Sequence, residues 1–357
     1  MKRAIVIVGG GLSGLYAARL LAAAGLDFVL LEARDRLGGR ILSAAADRGG
    51  FDLGPSWFWP DMQPMMVKLV EELGLTAFAQ HTDGDVVVER SAAEPAQRFR
   101  SPWETAPSFR IAGGTAALIS ALAAGLPMNS VRLGVQVTYA ELREGGVTLR
   151  ARGADGPDIS VLAERVVFAL PPRLLESTVT FTPSLSPQMR ARWRATPTWM
   201  APHAKFLAIY DRPFWREKGL SGMAQSMAGP LVEIHDASAI AGGAALFGFV
   251  GVPAAARQQI GDALAGHCVR QLIKLFGPEA GHPAATHFKD WSADPLTATA
   301  DDRDAAAGHP SAGGMAWFDP AWAARAVMAG SETASEHPGY LEGALLAANE
   351  AVRGLID

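Results

Sequence analysis

Residues 1–40 read MKRAIVIVGGGLSGLYAARLLAAAGLDFVLLEARDRLGGR. Ala4 to Val8 is a short apolar, β-rich run of the kind buried on both faces of a parallel sheet. Gly9, Gly11 and Gly14 come next with GxGxxG spacing, and Leu12 to Ala24 has the make-up of a small-residue helix that stops at Gly25. A second apolar run, Phe28 to Leu31, delivers Glu32. A strand, a glycine turn, a helix and a second strand ending in an acid form a dinucleotide-binding βαβ unit.

Each residue type has a physical task in such a unit. One glycine makes the tight turn, one lets a pyrophosphate approach the backbone, and one lets helix and strand pack closely. The phosphates meet free N–H groups at the positive end of the helix. Glu32, 23 positions after Gly9, can accept hydrogen bonds from both ribose hydroxyls while its charge repels a 2′-phosphate. That favours FAD or NAD over NADP. A plain βα turn in another α/β protein is the competing reading, and it leaves the placed acid unexplained.

The whole chain sets the outer bounds. At 357 residues two domains are expected, one interrupted by the other. A make-up of 49% apolar and 19% charged residues is that of a soluble globular protein, and a net charge of −4 leaves no footprint for nucleic acid or an anionic membrane. Cys268 is the only cysteine, so an intrachain disulfide is excluded, and its amphipathic setting points to a buried free thiol. The eight histidines show no metal-ligand spacing, and none is expected to hold a metal. The N-terminal apolar run is broken by glycines after five residues, which argues against a secretory signal. No stretch supplies the roughly 20 apolar residues of a membrane span. A cytoplasmic location is expected.

The residues around and beyond Glu32 add a family resemblance. LEARDRLGGR, residues 31–40, resembles the extension found in flavin-containing amine oxidases, the group of monoamine and polyamine oxidases. The resemblance implies that Ser13, Ala33, Arg34, Arg36, Gly38, Gly39 and Arg40 line an FAD site together with Gly9, Gly11, Gly14 and Glu32. Read alone, the arginines also suit a solvated helix start. FDLGPSWF, residues 51–58, resembles the family segment that passes beside the flavin, which implies roles for Gly54, Pro55 and Ser56. Trp57, Phe58 and Trp59 either line the site or pack in the core. In VRLGVQVTYAELREGGVTLRA, a hairpin around Glu144–Gly146, Val137 matches the residue that holds the adenine through its backbone. ERVVFALPPRLL reads as a buried strand stopped by Pro171 and Pro172.

WMAPHAKFLAIYDRPFW, residues 199–215, resembles the segment carrying the family's active-site lysine, here Lys205. On a strand His203, Lys205, Leu207 and Ile209 share one face, and an edge lysine snorkelling to water is the alternative. DWSADPLTATA resembles the family's return to the FAD domain, with Trp291 beside the site. Pro295 stands where some animal monoamine oxidases attach their flavin through cysteine, and Leu296 replaces their adjacent cage tyrosine. VMAGSETASEHPGYLEGALLAANEAV matches the C-terminal flavin signature. It implies that Gly330, Ser331 and Glu332 meet the cofactor, that Leu341 brings a helix N-terminus to it, and that Tyr340 faces the substrate. Residues 80–109 depart from the family, being drastically shorter than its usual insertion.

The expected fold is therefore α/β: a Rossmann-like FAD-binding domain over 1–79, 110–185 and 290–357, with a smaller inserted α+β substrate domain over 80–109 and 186–289. Local strands are expected at Ile41–Ser43, Phe51–Leu53 and Asp85–Arg90, with helices over Met62–Leu73 and Pro253–Phe276. The resemblance implies FAD-dependent oxidation of a small-molecule amine, with hydride passing from the α-carbon to flavin N5. Dioxygen or another acceptor would then reoxidise a non-covalently bound FAD. A homodimer stays open. A carotenoid-desaturase-like or protoporphyrinogen-oxidase-like flavoprotein, or a non-catalytic FAD-containing partner subunit, is the alternative.

Overall fold

The computed structural model describes residues 2–46, 49–100, 106–153, 158–304, 308–311 and 316–356. Part of the shortened segment, residues 101–105, lies outside that range. Lys2–Val8 sits inside an eight-stranded sheet, paired in parallel with Phe28–Leu31 on one side and Ile159–Phe168 on the other. The hairpin Val135–Arg143/Gly146–Gly153 extends the sheet antiparallel, and Ala326–Met328 adds a parallel strand beside the end of Ile159–Phe168. The first strand is buried on both faces, as its unbroken apolar run requires. Ile5 and Ile7 enter the cluster under the helices, and Val6 and Val8 enter the cluster on the opposite face.

The first helix, Leu12–Ala23, ends at an Ala24 cap, after which Gly25 turns the chain at φ +70°. It packs Leu15, Ala18 and Leu21 with Leu345, Ala348 and Val352 of the C-terminal helix Leu341–Ile356. The two ends of the chain thus share one core, and each fully buried leucine in it contributes about 1.5–3 kcal/mol.

A second, seven-stranded sheet runs in the order Ala285–Asp290, Ala204–Tyr210, Ala244–Val250, Leu231–Asp236, Leu220–Ser226, Asp85–Glu89 and Gln97–Arg100. Its faces differ in what they meet. Phe206, Ala208 and Leu246 pack under the helix Ala263–Phe276, where burial pushes the Cys268 thiol up to about 12 and leaves it inert. Leu207, Ile209 and Phe247 pack on Phe51 and Leu53, so the stretch after the glycine turn joins the two sheets.

Three local expectations shift. The strands of the early hairpin are Ser43–Ala46 and Gly49–Asp52 rather than Ile41–Ser43 and Phe51–Leu53. Two glycines take strand places there because a Cβ at Gly50 would strike the Gly113 carbonyl oxygen. The Met62–Leu73 helix is Pro64–Glu72, begun by the proline. Its free N–H groups at Met65 and Met66 are taken by the Glu342 carboxylate at 2.9 and 2.8 Å, a long-range cap that no local pattern announces. The Pro253–Phe276 helix is two helices, Ala254–Ile260 and Ala263–Phe276, parted at Gly261 with φ +58°. Among the described residues no helix is long and apolar enough to cross a membrane.

Candidate active site

The glycine turn and the second sheet border a single cavity. At one end it is lined by Gly9, Gly11, Ser13, Glu32, Ala33, Arg34 and Val137. Gly9 has φ +107°, and a Cβ there would overlap the Ala169 carbonyl. A Cβ at Gly14 would fall 1.9 Å from the Gly9 carbonyl oxygen, so only glycine lets the helix approach this strand. Gly11 is different. Its φ of −74° suits any residue, and a Cβ would meet nothing nearer than 4.0 Å. Neither packing nor backbone requires glycine at that wall; free space over a bare backbone at a helix start is what a pyrophosphate requires.

Glu32 is 6% exposed and accepts hydrogen bonds from Gly10 N at 2.6 Å and Arg34 N at 2.8 Å. Its backbone is pinned by Arg132 and Val135, so the acid is held at the end of its strand. Arg34 reaches across to Asp294 and Thr297, both at 2.9 Å. Burial pushes the Asp294 carboxyl up, and bonds from Lys289 and Arg34 more than reverse this, leaving it below the usual range. Gly38, Gly39, Arg40, Gly54, Pro55, Ser56, Gly330, Ser331 and Leu341 line the middle of the cavity. Ser13 Oγ donates to the Ala329 carbonyl, tying the first turn to the last strand. Three of the sequence-derived residues stand one layer back. Gly14 packs helix on strand, Arg36 donates to the carbonyls of Leu37, Gly39 and Ile41, and Glu332, 1% exposed, pairs with Arg40 at 2.6 Å.

The other end is aromatic. Trp57, Trp59, Trp199, Phe249, Trp291 and Tyr340 line it with Leu296, Met200 and His203. Lys205, 3% exposed, lies among them with its Nζ 2.7 Å from Ser56 Oγ, 3.1 Å from the Gly54 carbonyl and 3.8 Å from the Phe247 ring centroid. Burial lowers its pKa to about 7, with Asp52 opposing and Arg110 adding. It is no edge lysine: its strand lies between Ala244–Val250 and Ala285–Asp290. Trp291 Nε1 donates to the Leu53 carbonyl at 3.0 Å, which fixes its ring.

Tyr340 meets Trp59 edge-on at 6.3 Å and Trp199 at 6.3 Å and 37°. Phe58 turns away to Phe109 and the core, while its neighbours on either side line the cavity. Sequence reasoning missed Trp199 and His309. His309 stacks 3.3 Å from Trp199 and 4.9 Å from Tyr340, and its Nε2 lies 3.2 Å from the Tyr340 hydroxyl. An aromatic ahead of the lysine strand was a usable signal for Trp199. The left-handed turn at Met200, φ +63°, that accompanies it had none.

Replacing Glu32 with alanine removes acceptors from Gly10 and Arg34 and the charge facing the cavity. A charge-assisted hydrogen bond contributes roughly 1.5–3 kcal/mol, so FAD affinity is expected to fall by about one to two orders of magnitude. Titration of stripped protein with FAD measures it, and unchanged affinity would remove Glu32 from the cofactor wall.

A glycine turn over open space, a held acid and a cavity ending in aromatic rings around a buried lysine define a dinucleotide-binding oxidoreductase of the flavoprotein kind. The sequence model of flavin containing amine oxidoreductases matches residues 104–356, and that of an NAD(P)-binding Rossmann-like domain matches residues 7–73. The chain belongs to the flavin-containing amine oxidoreductase family, whose cofactor is FAD. It is 44% identical over 87 residues to putrescine oxidase of Kocuria rosea, a match spanning 24% of this chain and 18% of that protein. With the probable flavin-containing monoamine oxidase A of Dictyostelium discoideum it is 24% identical over 444 positions, 96% of this chain and 94% of that one. Among solved structures, putrescine oxidase bound to putrescine superposes with a TM-score of 0.81 at 22% identity, covering 100% and 99% of the two chains. Cyclohexylamine oxidase from Brevibacterium oxydans IH-35A gives 0.76 at 20%, covering 99% and 98%. These two structures support the fold.

Proposed function

We propose that the protein oxidises an amine with FAD and passes the electrons to dioxygen, giving an imine, its aldehyde and hydrogen peroxide. The observation that carries this reading is Lys205, buried in the aromatic end of the cofactor cavity. When bound, FAD supplies the two-electron acceptor that takes hydride from the amine's α-carbon. The chain's own residues prepare the amine. Trp59, Trp199 and Tyr340 wall off water around the reacting carbon, and an ammonium among these rings loses its hydration, so the neutral amine is favoured. Burial, and then Arg257, lower the pKa of His203 below the usual histidine value. On this reading the glycine-turn sheet, residues 1–79, 110–185 and 290–357, holds the cofactor. Residues 80–109 and 186–289 shape the amine slot.

The test is direct. Purified yellow protein is given amines in air, and peroxide is measured against an artificial electron acceptor. Peroxide formed with an amine supports the reading; amine turnover with the artificial acceptor alone would replace oxygen; turnover of no amine with either would sink it. FAD is expected to be non-covalent. The one cysteine, Cys268, is buried under the second sheet rather than at the cavity wall. Heat or acid should therefore release all yellow colour into the supernatant, and colour kept in the pellet would contradict this.

Tyr340 is expected to act on substrate and hardly on FAD. Tyr340→Ala removes the ring that meets both Trp59 and Trp199, so flavin reduction by amine should slow by at least about tenfold, roughly 1.4 kcal/mol in the barrier. FAD affinity should stay within about twofold. Stopped-flow reduction beside FAD titration separates the two, and unaltered reduction would place Tyr340 outside the slot.

A further inference from the structure

We propose that the slot selects a monoamine with one apolar, ring-sized substituent, and discriminates against diamines and amino acids. This rests on the amine-oxidation reading above and adds the substrate class. The slot's rings form two walls. Tyr340 with Trp59 and Trp199 makes one, and Trp57 with Phe249, 6.4 Å apart at 61°, makes the other. Such surfaces reward a flat or compact apolar group and offer it no polar partner.

Besides the Tyr340 phenol, the ionisable side chains lining this end are Lys205 and His203, and His309 is stacked on Trp199 and Tyr340; all three are of the kind that becomes cationic. Every other charged group lining the cavity is committed elsewhere. Glu32 is held by Gly10 and Arg34, Arg34 by Asp294, and Arg40 by Glu332 at 2.6 Å, with a further bond to the Trp199 carbonyl at 2.9 Å. Among the described lining residues Glu32 is the only carboxylate, and it stands at the glycine-turn end. The second ammonium of a diamine would be stripped of water beside Lys205 with no carboxylate lining the slot to meet it, because Asp52, which acts on Lys205, is not part of the lining. Cation–π contact with the walls recovers only part of that loss. The carboxylate of an amino acid would have to draw Lys205 off Ser56 and the Gly54 carbonyl, or Arg40 off buried Glu332.

The experiment is anaerobic stopped-flow bleaching of the FAD-loaded protein by benzylamine, n-hexylamine, putrescine and L-phenylalanine at one pH. The expected result is a second-order rate constant for benzylamine at least about thirtyfold above those for putrescine and L-phenylalanine, with n-hexylamine also above both. Any smaller ratio for benzylamine, or n-hexylamine at or below either, overturns the inference. If none of the four bleaches the flavin while other amines do, the proposed class is wrong and the amine reading survives. If no amine of a wide panel bleaches it, the amine reading itself has failed. Thermal shifts of the same protein with each amine give a readout independent of turnover: benzylamine should raise the melting temperature and putrescine should not. Leu296→Glu places a carboxylate at the slot wall and should narrow the benzylamine-to-putrescine ratio by at least about fivefold. An unchanged ratio in that folded variant would show that missing counter-charge is not the discriminator.

Discussion

Gly14→Ala is expected to abolish FAD binding. The added methyl carbon would fall 1.9 Å from the Gly9 carbonyl oxygen and 3.3 Å from the Ala169 side chain. The first of these is backbone, which has no rotamer to yield. To make room the helix must lift off the strand, and its Leu15, Ala18 and Leu21 belong to the core shared with the C-terminal helix. Forced overpacking typically costs 1–3 kcal/mol where side chains can adjust, and a backbone clash at a fixed turn costs more. The turn itself must then open, moving the N–H groups that would face the pyrophosphate. FAD affinity is expected to fall at least about a hundredfold, with a melting temperature lowered by several degrees. Gly11→Ala is the control. Its methyl meets no protein atom nearer than 4.0 Å, so the stripped protein should keep its stability while FAD binding weakens. Titration of FAD and thermal melting of both variants check this. A stable Gly14→Ala protein that holds FAD normally would refute the packing account.

The contrast between these two glycines shows why some of the molecule was legible and some was not. The βαβ unit could be read because each feature is local: an apolar run, a turn that only glycine can make, and an acid at the following strand end. Lys205 was legible as a lysine on an apolar strand face, and that face is where Leu207 and Ile209 pack. Phe58 could not be told from Trp57 and Trp59 by composition. Its isolated bridge to Phe109 turns it into the core while the tryptophans remain at the cavity. The partner of Tyr340 was the hardest. Trp199 lies 141 positions earlier and His309 lies 31 earlier, and only tertiary folding stacks the three rings. The strand expected at Phe51–Leu53 begins at Gly49 instead: glycines are poor strand formers, and nothing local announces the close approach of Gly113 that leaves room only for glycine at position 50.

Lys205→Met is the substitution that separates function from stability most sharply. Methionine keeps the length and the apolar stem of lysine and removes its charge and its donors to Ser56 and Gly54. The wild-type pKa is lowered from 10.5 to about 7 in the folded protein. Below pH 7 the lysine is charged in both the folded and the unfolded chain, and the full cost of burying that charge is present. Between about 7 and 10.5 the folded protein gives up the proton while the unfolded chain keeps it, so stability rises with pH across this window. Above it, neither state is charged. The methionine variant should be more stable at pH 6 by on the order of a few kcal/mol, and the wild-type rise in stability between pH 7 and 10 should be missing from it. Denaturant melts across that range measure both. Function is expected to move the other way. We propose that a lysine able to hold or release a proton near neutral pH assists delivery of electrons to dioxygen. Reduction by amine should therefore change little, and reoxidation by oxygen should slow at least about tenfold, a barrier change of roughly 1.4 kcal/mol. Unchanged reoxidation in a stabilised variant would leave Lys205 a costly buried charge with no part in the oxygen reaction. A parallel assay with an artificial acceptor shows whether oxygen is the acceptor at all.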